Sequence, residues 1–177
     1  DKTMTEERKS ENALRKPRVD VVIPTYKPGK KFSRLLKMLE KQTYPIGKII
    51  VMNTEETYWN KELEEKLSIL EVHHLKKQEF DHGATRAWAA ELSDADVMVF
   101  MTQDAVPVDA YLIENLVRAM EEEEAATAYG RQLPDDTVGV IEHYTREFNY
   151  PAKSYVKSQK DLETMGIKTY FCSNVCA

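Results

Sequence analysis

Hydrophobic and polar positions fall in blocks along this chain. Four short apolar runs, Val19-Asp20-Val21-Val22-Ile23, Lys48 to Asn53, Glu71 to Leu75 and Val97 to Met101, each give way to polar or turn residues. A brief apolar run bounded in this way predicts a strand buried on both faces, the kind found in parallel sheets. Between the runs the period changes. Phe32, Leu35, Leu36 and Leu39 fall at i, i+3, i+4 and i+7, and Ile113, Leu116, Val117 and Met120 repeat the helical stripe. A further helix is predicted from about Asn60 to Leu70. Another, opened by Gly83 and rich in small residues, runs on through Ala90. Strand and helix thus alternate, which implies a parallel sheet with right-handed crossovers. The expected fold class is α/β, a three-layer α/β/α sandwich with a mainly parallel central sheet.

The last third has a different character. Ala126 to Arg131 reads as a strand, Gln132 to Tyr155 as a long loop, Asp161 to Met165 as a helix and Thr169 to Phe171 as a strand. Loops of that length tend to carry function. Residues 1–17 are charged and aperiodic, a polar leader ahead of one domain over 18–177. The sequence stops just after Ser173-Asn174-Val175-Cys176 without a closing helix or polar tail, so it is read as an N-terminal fragment.

Composition narrows the class. Of 177 residues, 42% are hydrophobic and 31% charged, in the range of a globular domain. A net charge of −5 and the lack of a basic stripe with interleaved aromatics argue against nucleic-acid binding. No window approaches the apolar length of a membrane span, and no signal core opens the chain. Cys172 and Cys176 lack a second ligand pair for zinc and are read as reduced thiols, in keeping with a cytoplasmic protein.

The chemistry gathers at strand ends. In open α/β sheets, ligands bind beyond the carboxyl ends of strands. Asp104 stands where the Val97 strand stops, in Thr102-Gln103-Asp104-Ala105. A carboxylate there can hold a hard cation and, through it, a diphosphate. The competing reading is that Asp104 caps a helix starting near Val108. Arg86, just after a His-Gly turn, is a candidate phosphate ligand. Trp88 is assigned to the core, and His73 and His74 to a strand edge without metal-ligand spacing.

Four stretches come in the order and spacing seen in family 2 glycosyltransferases: the Val-Val-Ile-Pro-Thr-Tyr strand, the Asn53 turn, the Gly83 helix and the Asp104 turn. Thr102-Gln103-Asp104-Ala105, Tyr129-Gly130-Arg131-Gln132-Leu133-Pro134, Phe148-Asn149-Tyr150-Pro151 and Phe171-Cys172-Ser173-Asn174 further resemble its rhamnosyltransferase-like branch. The resemblance implies an A-type nucleotide-sugar-binding fold and inverting transfer from a dTDP- or UDP-type donor, such as dTDP-L-rhamnose. The acceptor would be a surface polysaccharide or a lipid-linked saccharide, with the enzyme at the inner membrane face. By the same likeness, Pro24, Thr25 and Tyr26 line the base pocket, with Asn53 and Glu55 near base and ribose. His82, Gly83 and Arg86 follow the ribose and diphosphate, Thr102 and Gln103 adjoin them, and Arg131 and Gln132 face donor sugar or acceptor.

Asp104 matches the last aspartate of the family's metal-binding Asp-x-Asp motif, implying Mg²⁺ or Mn²⁺. Thr102 and Gln103 replace the rest of that motif. One carboxylate should bind a dication more weakly, although Mg²⁺ takes most of its ligands from phosphate and water. The family's general base lies downstream of the Ser-Asn segment, and neither Asp135 nor Glu142 matches it by spacing. Two other readings therefore stand beside the enzyme: a nucleotide-binding module without turnover, and a nucleotidyltransferase built on Lys27-Pro28-Gly29-Lys30-Lys31.

Overall fold

The computed structural model describes residues 15–122, 125–131, 133 and 174–177. A five-stranded sheet runs through it in the order β3-β2-β1-β4-β5. The strands are β1 Val19–Tyr26, β2 Ile46–Thr54, β3 Leu70–Leu75, β4 Val97–Met101 and β5 Val175–Cys176. The first four are parallel, and β5 pairs antiparallel with β4. The helices are α1 Lys30–Glu40, α2 Glu62–Lys66, α3 His82–Glu91 and α4 Leu112–Glu122. The alternation read from the apolar runs is therefore the fold.

Strand periodicity decides which side chains meet which helix. Val21, Ile23, Ile49, Val51, Val99 and Met101 pack with Phe32, Leu35, Leu36 and Leu39 of α1 and Ile113, Leu116 and Val117 of α4. Val22, Ile50 and Met52 point the other way and pack with Ala89 of α3. An 11-residue helix is marginal alone, whereas each of α1's four apolar side chains gains about 1.5–3 kcal/mol on leaving water.

One charged residue interrupts β1. Asp20 is buried and accepts hydrogen bonds from the Lys48 amide at 2.9 Å and the Ser93 hydroxyl at 2.6 Å. The β1–β2 register shifts between Val19 and Val21. A Cβ on Gly47 would lie 2.8 Å from Asp20 Oδ1, so glycine gives the carboxylate its room.

Several boundaries differ from the sequence reading. The helix predicted over Asn60 to Leu70 contracts to α2, and α4 begins at Leu112, after turns from Val108. Gln42 sets that start: its Oε1 accepts from the Ile113 amide at 3.1 Å, and its Nε2 donates to the Asp109 carbonyl at 2.9 Å. Asp104 is consequently not a helix cap. Ala126 to Arg131 contributes an isolated bridge, Tyr129 to Cys176, rather than a strand. Trp88 is 38% exposed and packs edge-on against His73 at 5.5 Å, so it is a surface residue and not core. Cys176 is half-buried at the end of β5. The elements predicted over 132–173, and Cys172, lie outside the described residues, apart from Leu133.

Candidate functional site

β1 leaves its two neighbours at different points. Its pairing with β2 continues to Tyr26 opposite Thr54, but its pairing with β4 ends at Val22 opposite Phe100. The β4 register does not extend to the next four residues of β1, and a cleft of about 440 Å³ opens at the strand ends. It lies where successive crossovers depart in opposite directions from β1, the position at which open α/β sheets bind ligands. Pro24, Thr25, Tyr26 and Thr54 supply the sheet side. Lys77, Phe80, His82 and Arg86 supply the wall before and within α3, and Thr102 and Gln103 close the β4 side.

Gln103 spans the gap. Its Oε1 accepts from the Tyr26 amide at 2.9 Å and its Nε2 donates to the Tyr26 carbonyl at 3.1 Å. A side-chain amide thus stands in for the next rung of the β1–β4 ladder. It fixes the backbone of Tyr26, whose ring is 40% exposed and meets Tyr58 edge-on at 5.9 Å. Lys27 Nζ lies 4.6 Å from the Tyr58 ring centre and 5.3 Å from that of Tyr26. Lys77 Nζ lies 6.0 Å from Tyr26. Such contacts contribute about 0.5–1 kcal/mol each when exposed. Among the described residues Lys27, Lys77 and Arg86 form no ion pair, so the rim presents uncompensated positive charge suited to an anion.

Of the predicted residues, Pro24, Thr25, Tyr26, His82, Arg86, Thr102 and Gln103 converge on this cleft. His82 packs edge-on against Phe80 at 4.9 Å. Asp104 is exposed just outside the wall, its Oδ1 accepting the Thr102 hydroxyl at 2.9 Å. Gly83 is also outside the wall. A Cβ there would come within 3.4 Å of Asp81 Oδ1, the group that caps α3 by accepting from the Ala84 amide at 2.8 Å. Arg131 is exposed away from the cleft lining, and Gln132 lies outside the described residues.

Asn53 and Glu55 support the site without lining it. Asn53 is fully buried. Its Oδ1 accepts from the Thr25 hydroxyl at 2.8 Å, and its Nδ2 meets the Glu55 carbonyl at 3.2 Å and His74 Nδ1 at 3.0 Å. The amide is saturated by protein partners. With both Nδ2 protons so used, His74 Nδ1 is an acceptor in this network. Glu55 has a φ of 66°, in the region side chains avoid. It is held there by its amide on the Leu75 carbonyl, at 2.8 Å, and by its carboxylate on the Lys77 amide, at 2.7 Å. It latches the loop that carries Lys77 and Phe80 to the end of β2.

Thr54, Lys77 and Phe80 were not anticipated. Thr54 had a signal: it shares strand parity with Met52, and its partner Tyr26 shares parity with Pro24, on the α3 side where the cleft lies. Lys77 and Phe80 sit in a loop without a motif. As to a metal, no group of three or more His, Cys, Asp or Glu residues comes together among the described residues. The Asp104 carboxylate and Thr102 hydroxyl are hard oxygen donors. They fit Mg²⁺ or Mn²⁺ only with further oxygens from phosphate and water.

No helix among the described residues is long and apolar enough to cross a membrane. A glycosyl transferase family 2 model matches residues 20–177. The O-antigen chain rhamnosyltransferase RfbN of Salmonella typhimurium is 37% identical over 158 residues, covering 89% of this chain and 50% of the relative. The corresponding WbaN of Salmonella anatum is 29% identical over 160 residues, with the same coverage. The chain therefore spans about half the length of these relatives. Among solved structures, S. aureus TarS 1–349 in complex with UDP-GlcNAc superposes with a TM-score of 0.53 at 21% identity, over 70% of this chain and 36% of that one. The mannosyltransferase PcManGT of Pyrobaculum calidifontis, in complex with GDP-Man and Mn²⁺, gives 0.55 at 16% identity, over 75% and 39%. These likenesses show the fold, the α/β architecture anticipated from the strand and helix pattern. With the family model covering nearly all of the described sheet and its cleft, the chain belongs to glycosyl transferase family 2.

Proposed function

We propose that this chain is the donor-binding half of an inverting glycosyltransferase that moves L-rhamnose from dTDP-rhamnose to a saccharide of a surface polysaccharide or its lipid-linked precursor. The observation that carries the reading is the cleft between the diverging ends of β1 and β4, lined by Tyr26 and by Arg86 and Lys77, which form no ion pair among the described residues. The rhamnosyltransferase relatives favour the sugar, and the nucleotide-sugar complexes of the structural neighbours favour a nucleoside diphosphate donor.

In this reading Pro24, Thr25 and Tyr26 receive the base, and His82 and Arg86 follow the ribose and diphosphate. Transfer breaks the bond between the anomeric carbon and a phosphate oxygen and forms one to an acceptor hydroxyl oxygen, whose proton passes to a base. That base is not assigned to any residue of this chain. Negative charge develops on the departing diphosphate, and the cations of Arg86 and Lys77 neutralise it where it appears. Mg²⁺ or Mn²⁺ held by Asp104 and Thr102 would supply Lewis-acid stabilisation of the same charge. Arg131 and Gln132 are assigned to the sugar or acceptor side.

Thermal denaturation with dTDP, UDP and GDP, each with and without Mn²⁺, tests the donor site. A ligand at 100 times its Kd stabilises by about 2.7 kcal/mol. We expect dTDP to raise Tm, Mn²⁺ to add to the rise, and Asp104→Ala to remove the Mn²⁺ increment. Absence of a shift with every nucleotide would overturn the assignment. In the full-length protein, Asp104→Ala is expected to lower turnover by about 10²–10³-fold. A non-catalytic nucleotide-binding module is favoured by one observation, that no group of three or more metal-ligating side chains comes together among the described residues. Sugar transfer by the full-length protein excludes it.

A further inference from the structure

We propose that the outer face of α1 is an electrostatic docking strip for an anionic membrane surface. Phe32, Leu35, Leu36 and Leu39 commit one side of α1 to the core. On the opposite side stand Lys30, Arg34, Lys37 and Lys41, all exposed, spaced i, i+4, i+7 and i+11. At 3.6 residues per turn the four fall within about 60° of one another and run about 17 Å along the axis. No acid stands in the row; Glu40 lies to its flank.

This arrangement is costly within the protein. Like charges at i, i+4 repel. Lys30 and Lys31 sit at the positive end of the helix dipole, in a first turn without an acid. Among the described residues none of the row takes part in an ion pair; all the ion pairs lie elsewhere. The row stands on a chain whose net charge is −5, so it is a segregated feature and not part of a generally basic surface. α4, packed on the same face of the sheet, turns Glu114, Glu121 and Glu122 outward. The apolar face of α1, being in the core, does not insert.

A single row of cations on a convex helix, with no aromatic among them, lacks the groove and stacking surface that single-stranded nucleic acids use. It suits a plane of spread negative charge, such as a bilayer rich in anionic phospholipid. Lys30 follows Tyr26 of the cleft wall by only four residues, so the first turn of the strip starts at the same end of the sheet at which the cleft opens. The inference uses the helix and its charges and does not depend on which nucleotide the cleft takes.

The test is co-sedimentation of the full-length protein with phosphatidylcholine vesicles with and without phosphatidylglycerol. Binding should require phosphatidylglycerol and weaken as salt rises. The variant Lys30→Gln/Arg34→Gln/Lys37→Gln/Lys41→Gln should lose about fivefold in partitioning per cation removed, several-hundredfold in all. Glutamine keeps helix propensity, and the dTDP-induced Tm shift of the variant should match that of the parent, which separates a failed strip from a failed donor site. Binding to neutral vesicles alone, undiminished binding by the variant, or tighter binding to single-stranded RNA than to anionic vesicles would each overturn the proposal.

Discussion

At the scale of single residues, the cleft depends on two amides, one buried beneath its lip and one in its wall. Asn53 ties Thr25, Glu55 and His74 together beneath the lip. Asn53→Ala leaves these buried partners unpaired, at a cost of about 1–3 kcal/mol, and should weaken dTDP binding although Asn53 lies outside the cleft wall. Asn53→Asp keeps the acceptor for Thr25 and loses both donations, so it should fall between the parent and the alanine variant in calorimetric titration. Gln103→Ala frees the Tyr26 backbone and is expected to raise the donor KM more than it lowers kcat. Gln103→Glu retains one of the two bonds and should not fully rescue. A Gln103→Ala variant with unchanged KM would remove Gln103 from the positioning of Tyr26. Much of this chemistry was legible in the sequence. The family resemblance brings Arg86, His82 and Pro24-Thr25-Tyr26 forward, and all of them line one cleft. The family resemblance assigns Asn53 to the donor. The structure places it on the α1 side with Val51, fully buried against Thr25, and it is Thr25 and Thr54 that reach the cleft. The bonds of Gln103 could not be read, since they depend on where two strands part.

At the scale of elements, the apolar runs and helical stripes are sufficient to place the strands and helices of a parallel sheet, though not its strand order, because burial on both faces leaves strands few polar choices. Boundaries set by distant contacts were not. α4 starts where Gln42, at the end of α1, meets Ile113 and Asp109. The packing of Trp88 on His73 requires knowing that β3 is the sheet edge. The joint between β1, β2 and α3 is another long-range device, with Asp20 holding Lys48 and Ser93. Gly47→Ala would push a methyl group against the Asp20 carboxylate and the Val19 carbonyl, and overpacking of this kind costs about 1–3 kcal/mol. Asp20→Ala removes the acceptor from a buried amide and should cost a similar amount. Urea denaturation of both variants checks the pair. In the double variant the costs should not add, because alanine at 20 removes the obstacle to alanine at 47. Additive losses would show that the two sites act independently.

At the scale of the whole molecule, two polar clusters hold the sheet from outside and make its stability depend on acid. At the start of β1, Asp96 accepts from the Arg18 amide at 2.7 Å and from Arg15 at 3.1 Å, while Asp94 takes both ends of the Arg18 guanidinium. Across β2 and β3, Glu71 accepts from His73 at 2.8 Å and pairs with Lys48 at 3.4 Å. The Arg18 amide lowers the Asp96 carboxyl, the Arg18 guanidinium lowers Asp94, and the His73 hydrogen bond lowers Glu71. Carboxyls lowered on folding bind fewer protons in the native state than in the unfolded chain. Their contribution is complete above the unfolded values of about 3.9 for Asp and 4.3 for Glu, and is lost as pH falls through the lower folded values. The urea midpoint should therefore owe nothing to these groups between pH 5 and 7 in its slope, then decline from about pH 4 downward. Asp96→Asn should lower the midpoint at pH 6, since it loses the charge that Arg15 and Arg18 neutralise, yet decline less steeply in acid. A parent midpoint equal at pH 3 and pH 6, or an Asp96→Asn variant as acid-sensitive as the parent, would show that the strand-end clamp contributes nothing to the stability of the fold.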